Sequence, residues 1–376
     1  MVDVQAVEEV EVVHPRPDHY LQRSGEVWAA ACATVKRVLQ EAGVAKEQVK
    51  GLGFDATCSL VVVGKEGASV AVECEGEDII MWMDHRAREQ AAAITATRHE
   101  LLESVGGTVS LEMQVPKLLW LATQHPQAWA EAAAFYDLPD WLVHKATGSS
   151  ARSLCSLVCK WLYRAGEGGH GWDWAFLEQV GLGRLTADHL GATVLAPGAP
   201  VGQGVSAEAA RELGLCEGTR VGASLIDAHA GALGLLASPG GLLGRLGLVC
   251  GTSTCHMLLA ERRLLVPGVW GPFHSAICPG LWLTEGGMSS TGGLLDHIIR
   301  SHPALPLLQA APEASPHAAL ATLLAARAGE EGVEVAALAR DVHVWPDYHG
   351  NRSPLADPRM KGAVVGLTLS RCWWCW

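Results

Sequence analysis

The segment Val221 to Gly234, VGASLIDAHAGALG, constrains this chain most. Small and apolar residues from Val221 to Ile226 read as a buried strand. The strand ends at one acid, Asp227, and small residues then open a helix. A carboxylate at that junction has two readings. It caps the helix, or it touches a hydroxyl while staying ionised.

A second junction follows. Leu246 to Cys250 reads as another buried strand, and it runs into Gly251, Thr252, Ser253 and Thr254. Glycine lets a backbone approach a ligand closely, and N–H groups with hydroxyls can cradle phosphate oxygens. An ordinary tight turn has the same composition. No GxxxxGK[ST] occurs, so this is not a P-loop. Gly51 and Gly53 lie in a strand and lack a third glycine, which indicates close packing.

The chain has 376 residues, too many for one compact core, so two domains are expected. Hydrophobic residues at 49% and charged residues at 18% indicate a packed α/β protein. The net charge of −12 leaves no basic excess for nucleic acid but does not oppose ATP, which meets a local site. The N-terminus carries acids where a signal peptide needs Lys or Arg, and no window suits a membrane span. Cysteines are scattered: Cys155 and Cys159 lie one helical turn apart, and Cys372 and Cys375 form a single CxxC. A zinc site wants two matched pairs, so no metal site is expected. Reduced thiols and a cytoplasmic location are.

Helical spacing covers Gly25–Ala42, Ala87–Val105, a segment from Pro116, Asp137–Gly148, a helix ending near Gly214, and Ala310–Gly329. Val49–Val63 reads as strand, turn and strand. SPGGLLG at 238–244 is the Gly/Pro-rich break, which places the domains at 1–240 and 241–376.

Six segments in order resemble the FGGY family of carbohydrate kinases, over about Ser24 to Leu369. They are WMDHR at 82–86, PKLLWL at 116–121, SLIDAHAG at 224–231, CGTSTCH at 250–256, GNRSP at 350–354 and GAVVGL at 362–367. DATCS, CKW, DAHAG and EGG together resemble the ribulokinase-like branch. The resemblance implies an α/β, two-domain actin/hexokinase/Hsp70-like (ribonuclease H-like) fold. It implies ATP and Mg²⁺ as cofactors and a small-molecule sugar as substrate.

Residue by residue, it makes Asp227 the catalytic base toward the sugar's terminal hydroxyl. Thr57, Cys58, Trp82, Asp84, Lys160 and Glu285 become sugar contacts. Gly251, Thr252 and Ser253 become the phosphate turn, and Gly292 a glycine near the nucleotide. Plainer readings stay beside these. Lys160 also reads as a snorkelling surface lysine, Glu285 as a turn acid, Trp82 as core, and Arg352 as a structural ion-pair residue.

The family's opening D-x-G-T hairpin and its later G-G-x-x-x-N segment have no counterpart, and Leu369 is followed by SRCWWCW, an aberrant tail at 370–376. The expectation is a fold incomplete at both termini, with low or absent kinase turnover and exposed sheet edges that favour a homo-oligomer. Two functional readings stay open. One is ATP-dependent phosphorylation of a D-ribulose-like ketopentose; the other is a non-catalytic sugar-binding or regulatory isoform. Nucleotide binding separates them. A serine hydrolase at Ser253 or Ser289 lacks the G-x-S-x-G elbow.

Overall fold

The structure is a computed structural model that describes residues 4–73, 76–167, 169–237, 240–357 and 359–368. The expected CxxC at 372–375 and the tail at 370–376 lie outside the described residues, as do the first two residues of the 238–244 break.

The chain forms two compact units. One holds residues up to 246 together with 258–285; the other holds 247–257 and 286 onward. The first begins β1 (Leu21–Gln22), α1 (Ser24–Ala42), β2 (Gly51–Leu52), β3 (Asp55–Ala56), β4 (Leu60–Gly64), β5 (Ile79–Ile80), α2 (Arg88–Ala96) and α3 (Gln114–Gln124). It continues α4 (Pro126–Glu131), β6 (Ala132–Asp137), α5 (Leu138–Thr147), β7 (Arg152–Ser153), α6 (Leu154–Lys160), α7 (Trp174–Gln179) and α8 (Ala187–Leu190). Then come β8 (Val194–Leu195), α9 (Ala207–Leu213), β9 (Arg220–Val221), β10 (Leu225–Ile226) and α10 (Asp227–Leu236). The division crosses strands of the next group: β11 (Leu246–Cys250), β12 (Thr254–Ala260), β13 (Trp270–His274) and β14 (Trp282–Met288). The second unit ends with α11 (Gly292–Ser301), α12 (Leu305–Gln309), α13 (Pro316–Glu331), β15 (His343–Trp345) and β16 (Ala363–Val365).

In the first unit, β1, β5, β4 and β6 form an antiparallel sheet in that order. β4 is buried along its length, as its LVVV run requires. α1 buries Trp28 and Cys32, four residues apart on one face. That face joins Val61 and Val63 of β4, Leu142 and Ala146 of α5, and Leu213 of α9 in one core. Three helix ends follow the sequence signals. Ser206 caps α9 and Gly214 closes it in the left-handed conformation, while Gly148 closes α5.

Five expectations need correction. Val49–Val63 holds parts of three strands, β2, β3 and β4, and not two. Val221–Ile226 is two short strands, β9 and β10, and not one. β9 pairs in parallel with β2, and β10 with β3. Gly222 separates them and donates its N–H to Leu52. Ala87–Val105 is not one helix. α2 stops at Ala96, Thr97 Oγ1 donates to the Ile94 carbonyl, Arg98 takes a left-handed φ of 51°, and a 3₁₀ turn follows at Glu100–Ser104. The Ala310–Gly329 helix starts later, at Pro316, where Ser315 caps and proline needs no N–H partner. β11 is not a buried strand, because Leu246 and Leu248 are exposed. Among the described residues, no helix is long and apolar enough to cross a membrane.

Candidate functional site

Asp227 is the first residue of α10, with Ile226 in the cap position. Its side chain is exposed, and Oδ1 accepts the Ala228 N–H at 2.7 Å. The carboxylate therefore sits among N–H groups at a helix start, where negative charge is favoured. β3 lies beside β10, with Asp55 in register with Leu225 and Ala56 with Ile226. Asp55 is thereby brought near Asp227. Partial burial raises the Asp55 carboxyl, and the Asp227 charge raises it further.

The chain after β3 supplies Thr57 and Cys58. Thr57 Oγ1 lies 3.0 Å from Ser59 Oγ. Cys58 is buried, and burial pushes its thiol up to about 12, so it stays neutral. Ser59 Oγ also accepts the N–H of half-buried Trp82 at 3.1 Å. Lys117, fully buried in α3, donates to the Met81 carbonyl at 2.9 Å. The Trp82 backbone is therefore tied from both sides.

Asp84 is committed inside this loop. Its oxygens accept the Tyr20 N–H at 2.7 Å, the Arg86 N–H at 3.0 Å, and the Arg86 guanidinium at 2.9 and 2.7 Å. Arg86 also reaches Glu73 at 3.2 Å and lies over the Trp120 ring, 4.8 Å from its centroid. WMDHR and PKLLWL, separate in sequence, are thus one packed assembly, and Asp84 holds it together.

α6 is buried at every residue. Asp140 of α5 fixes its start. Asp140 Oδ1 accepts the Ser153 N–H at 2.9 Å and the Ser224 hydroxyl at 2.7 Å, and Ser153 Oγ donates to the Ser224 carbonyl at 2.6 Å. The same contacts anchor the strand that leads to Asp227. At its other end α6 places Lys160, which is 3% exposed and so is no snorkelling surface lysine. Its Nζ is 3.5 Å from Glu112 Oε2 and 4.6 Å from the Trp270 ring centroid.

Glu285 lies in β14, buried, and is not a turn acid. Its Oε2 is 3.1 Å from His229 Nε2, and His229 Nδ1 is 3.0 Å from Cys155 Sγ. Burial opposes a charged imidazole, but Cys155 and Glu285 outweigh it and raise His229 to about 10. Burial likewise opposes a thiolate, but Cys159 and His229 bring Cys155 down to about 5. Asp55, Lys117 and His229 lie inside DATCS, PKLLWL and DAHAG, whereas Cys155 and Asp140 lie outside every quoted segment, and none of the five stands out from the sequence as a site residue. The His in DAHAG and the Cys155/Cys159 spacing were the available signals.

In the second unit the Gly251–Ser253 turn sits against the start of α11. The N–H groups of Thr291 and Gly293 donate to the Thr252 carbonyl at 2.8 and 3.2 Å, and that of Gly292 donates to the Gly251 carbonyl at 3.0 Å. A Cβ on Gly292 would lie 2.6 Å from the Gly251 oxygen, so glycine is required for this approach. The helix's first donors are therefore taken by the turn. The exposed Thr252 and half-buried Ser253 hydroxyls are the groups that fit phosphate oxygens. Arg352 Nη1 lies 3.5 Å from Cys255 Sγ behind the turn. Among the described residues, no three His, Cys, Asp or Glu side chains are grouped to hold a metal ion.

Residues 2–234 match the FGGY family of carbohydrate kinases, N-terminal domain, and residues 246–373 match the C-terminal domain of the same family. The chain is 50% identical over 385 residues to the FGGY carbohydrate kinase domain-containing protein of Danio rerio, covering 97% of this chain and 70% of that one. It is 39% identical over 387 residues to a D-ribulokinase of Saccharomyces cerevisiae, covering 93% of this chain and 54% of that one. Its fold is similar to that of xylulose kinase from Rhodospirillum rubrum, with a TM-score of 0.76 and 22% identity over 97% of this chain and 69% of that one. The architecture is the two-domain actin/hexokinase-like one.

Proposed function

This chain belongs to the FGGY family of carbohydrate kinases, and we propose that it transfers a phosphoryl group from Mg·ATP to the terminal hydroxyl of a ketopentose such as D-ribulose. The D-ribulokinase relative supports that choice of sugar. The observation that carries the reading is the convergence of α10, α6 and β14. A carboxylate at a helix start is joined in one unit by two buried charged side chains of opposite sign. A polyhydroxylated ligand, rich in donors and acceptors, suits a site lined by such charged groups.

Asp227 accepts the proton of the terminal hydroxyl as that oxygen becomes the nucleophile. Phosphoryl transfer depends mostly on positioning and charge neutralisation, so an ordinary carboxylate suffices. Glu285 accepts sugar hydroxyls, Lys160 donates to sugar oxygens, and Trp82 and Thr57 bound the sugar. Asp84 and Cys58 support that wall from behind. Thr252 and Ser253 donate to phosphate oxygens, while Gly251 and Gly292 let the turn lie close to them. Mg·ATP, when bound, supplies the γ-phosphoryl group and the metal that offsets its charge.

Isothermal titration of the protein with D-ribulose and with Mg·ATP, paired with an assay for ADP release, tests the proposal. Binding of both with ketose-dependent ADP release is expected. Ketose binding without nucleotide binding would favour the non-catalytic reading. Absence of ketose binding would sink the sugar assignment.

A further inference from the structure

Cys155, His229 and Glu285 form a buried chain that the proton transfer at Asp227 does not use. All three side chains are at most 2% exposed. Histidine's two nitrogens are occupied on opposite sides, Nδ1 by Cys155 Sγ at 3.0 Å and Nε2 by Glu285 Oε2 at 3.1 Å. An ionised carboxylate only accepts hydrogen bonds. Two proton arrangements satisfy the chain. In one, the Cys155 S–H donates to Nδ1 of a neutral ring. In the other, an imidazolium donates to a Cys155 thiolate. Both leave a hydrogen on Nε2, directed at Glu285.

His229 and Asp227 also share the first turn of α10. A bond from His229 to Glu285 therefore ties the strand bearing Glu285 to the helix bearing Asp227. If the position needed packing alone, an apolar side chain would fill it at lower desolvation cost.

We propose that His229 is a positioning residue whose Nε2–H, fixed by Cys155 on the far side of the ring, aims the Glu285 carboxylate at the hydroxyls of the ketose. The sugar half of this proposal rests on the reading of Glu285 given above. The imidazole orientation does not.

The test uses the full chain with D-ribulose and Mg·ATP, in wild type, His229→Leu, His229→Gln and Cys155→Ala. His229→Leu is expected to raise the ketose KM about tenfold or more, the effect of losing one hydrogen bond to a charged group. The Mg·ATP KM should stay within about twofold. Glutamine places an amide N–H near the position of Nε2, so His229→Gln should restore most of the loss. Cys155→Ala should fall between them.

A purely structural role predicts parallel loss of both KM values and no rescue, and that result would overturn the proposal. Should His229→Leu fail to fold, ¹⁵N-histidine NMR of the wild type decides. A proton on Nε2 of His229 supports the proposal, and an unprotonated Nε2 overturns it. A wild type that binds no ketose but shows that proton removes the sugar assignment alone, leaving the His229–Glu285 bond in place.

Discussion

Asp55 and Asp227 are carried on neighbouring parallel strands, β3 and β10, with Asp55 in register two residues before Asp227. Burial raises the Asp55 carboxyl and the Asp227 charge raises it further. Asp227→Asn removes that charge and the proposed proton acceptor together. It is expected to lower kcat by about 10²- to 10⁴-fold, with ketose affinity nearly unchanged and the Asp55 carboxyl titrating lower. The thermal midpoint should move little, because the Asp227 side chain is exposed. Steady-state kinetics, ketose titration and carboxyl ¹³C NMR read these effects. Retention of wild-type kcat would remove Asp227 from the chemistry.

Arg86 stands between two acids. Its guanidinium meets Asp84 at 2.7 Å and Glu73 at 3.2 Å, with every side chain concerned at most 7% exposed. Arg86→Met leaves Asp84 buried without its cation, while Glu73 keeps Arg16 and His19. A loss of about 3–5 kcal/mol in unfolding free energy is expected, the cost typical of breaking a buried pair. Asp84→Asn should cost less, because the amide oxygen still accepts the Tyr20 N–H. Chemical denaturation compares the two. Equal midpoints for Arg86→Met and wild type would show the network to be inconsequential.

Asp137 and Asp140 give the fold a pH dependence. Burial holds Asp137 up to about 7 and Asp140 up to about 6, with the Asp140 charge adding to the shift of Asp137. Trp161 and Gln114 each donate to Asp137 Oδ2, at 2.8 and 2.9 Å, and oppose the rise. A carboxyl raised in the folded state stabilises the fold fully below its unfolded value of about 3.9. That contribution is lost as pH climbs through the folded value. Asp137 should therefore contribute progressively less between about pH 4 and pH 7. Asparagine keeps the acceptor without titrating. The stability gap between Asp137→Asn and wild type should accordingly shift in favour of the variant as pH rises from 5 to 8. Urea midpoints across that range read it, and parallel curves would contradict it.

Gly292 has no room for a side chain, since a Cβ would meet the Gly251 oxygen at 2.6 Å. Gly292→Ala should push the Gly251–Ser253 turn away from α11. The expected loss is about 1–3 kcal/mol of stability, typical of overpacking, with Mg·ATP affinity falling more than ketose affinity. Titration with each ligand checks the split. An equal loss for both would detach this turn from nucleotide binding.

Much of the local architecture was legible in the residues. Trp28 and Cys32 fall on one face of α1, and Ser206 and Gly214 bracket α9, because caps and helical faces are set by neighbours a few residues away. The acid opening α10 was visible for the same reason. Splits within apolar runs were not. The break between β9 and β10 depends on β2 and β3 lying beside them, about 170 residues earlier in the chain. The stop of α2 at Ala96 came from a hydroxyl competing for a carbonyl, which a hydrophobic pattern does not register.

The residues alone determined which chemistries the chain could carry: an acid after a strand, hydroxyls after a glycine, and a lysine and a glutamate within ordered motifs. Tertiary structure decided how those groups are held. His229 meets Cys155 across 74 positions and Glu285 across 56. Lys160 proves buried because α6 packs against β10 and β13. Asp84 belongs to Arg86 and the Tyr20 backbone and so serves the fold. Side-chain identity fixes what a group can donate or accept, whereas burial and partner are set by elements that come together only when the whole unit closes.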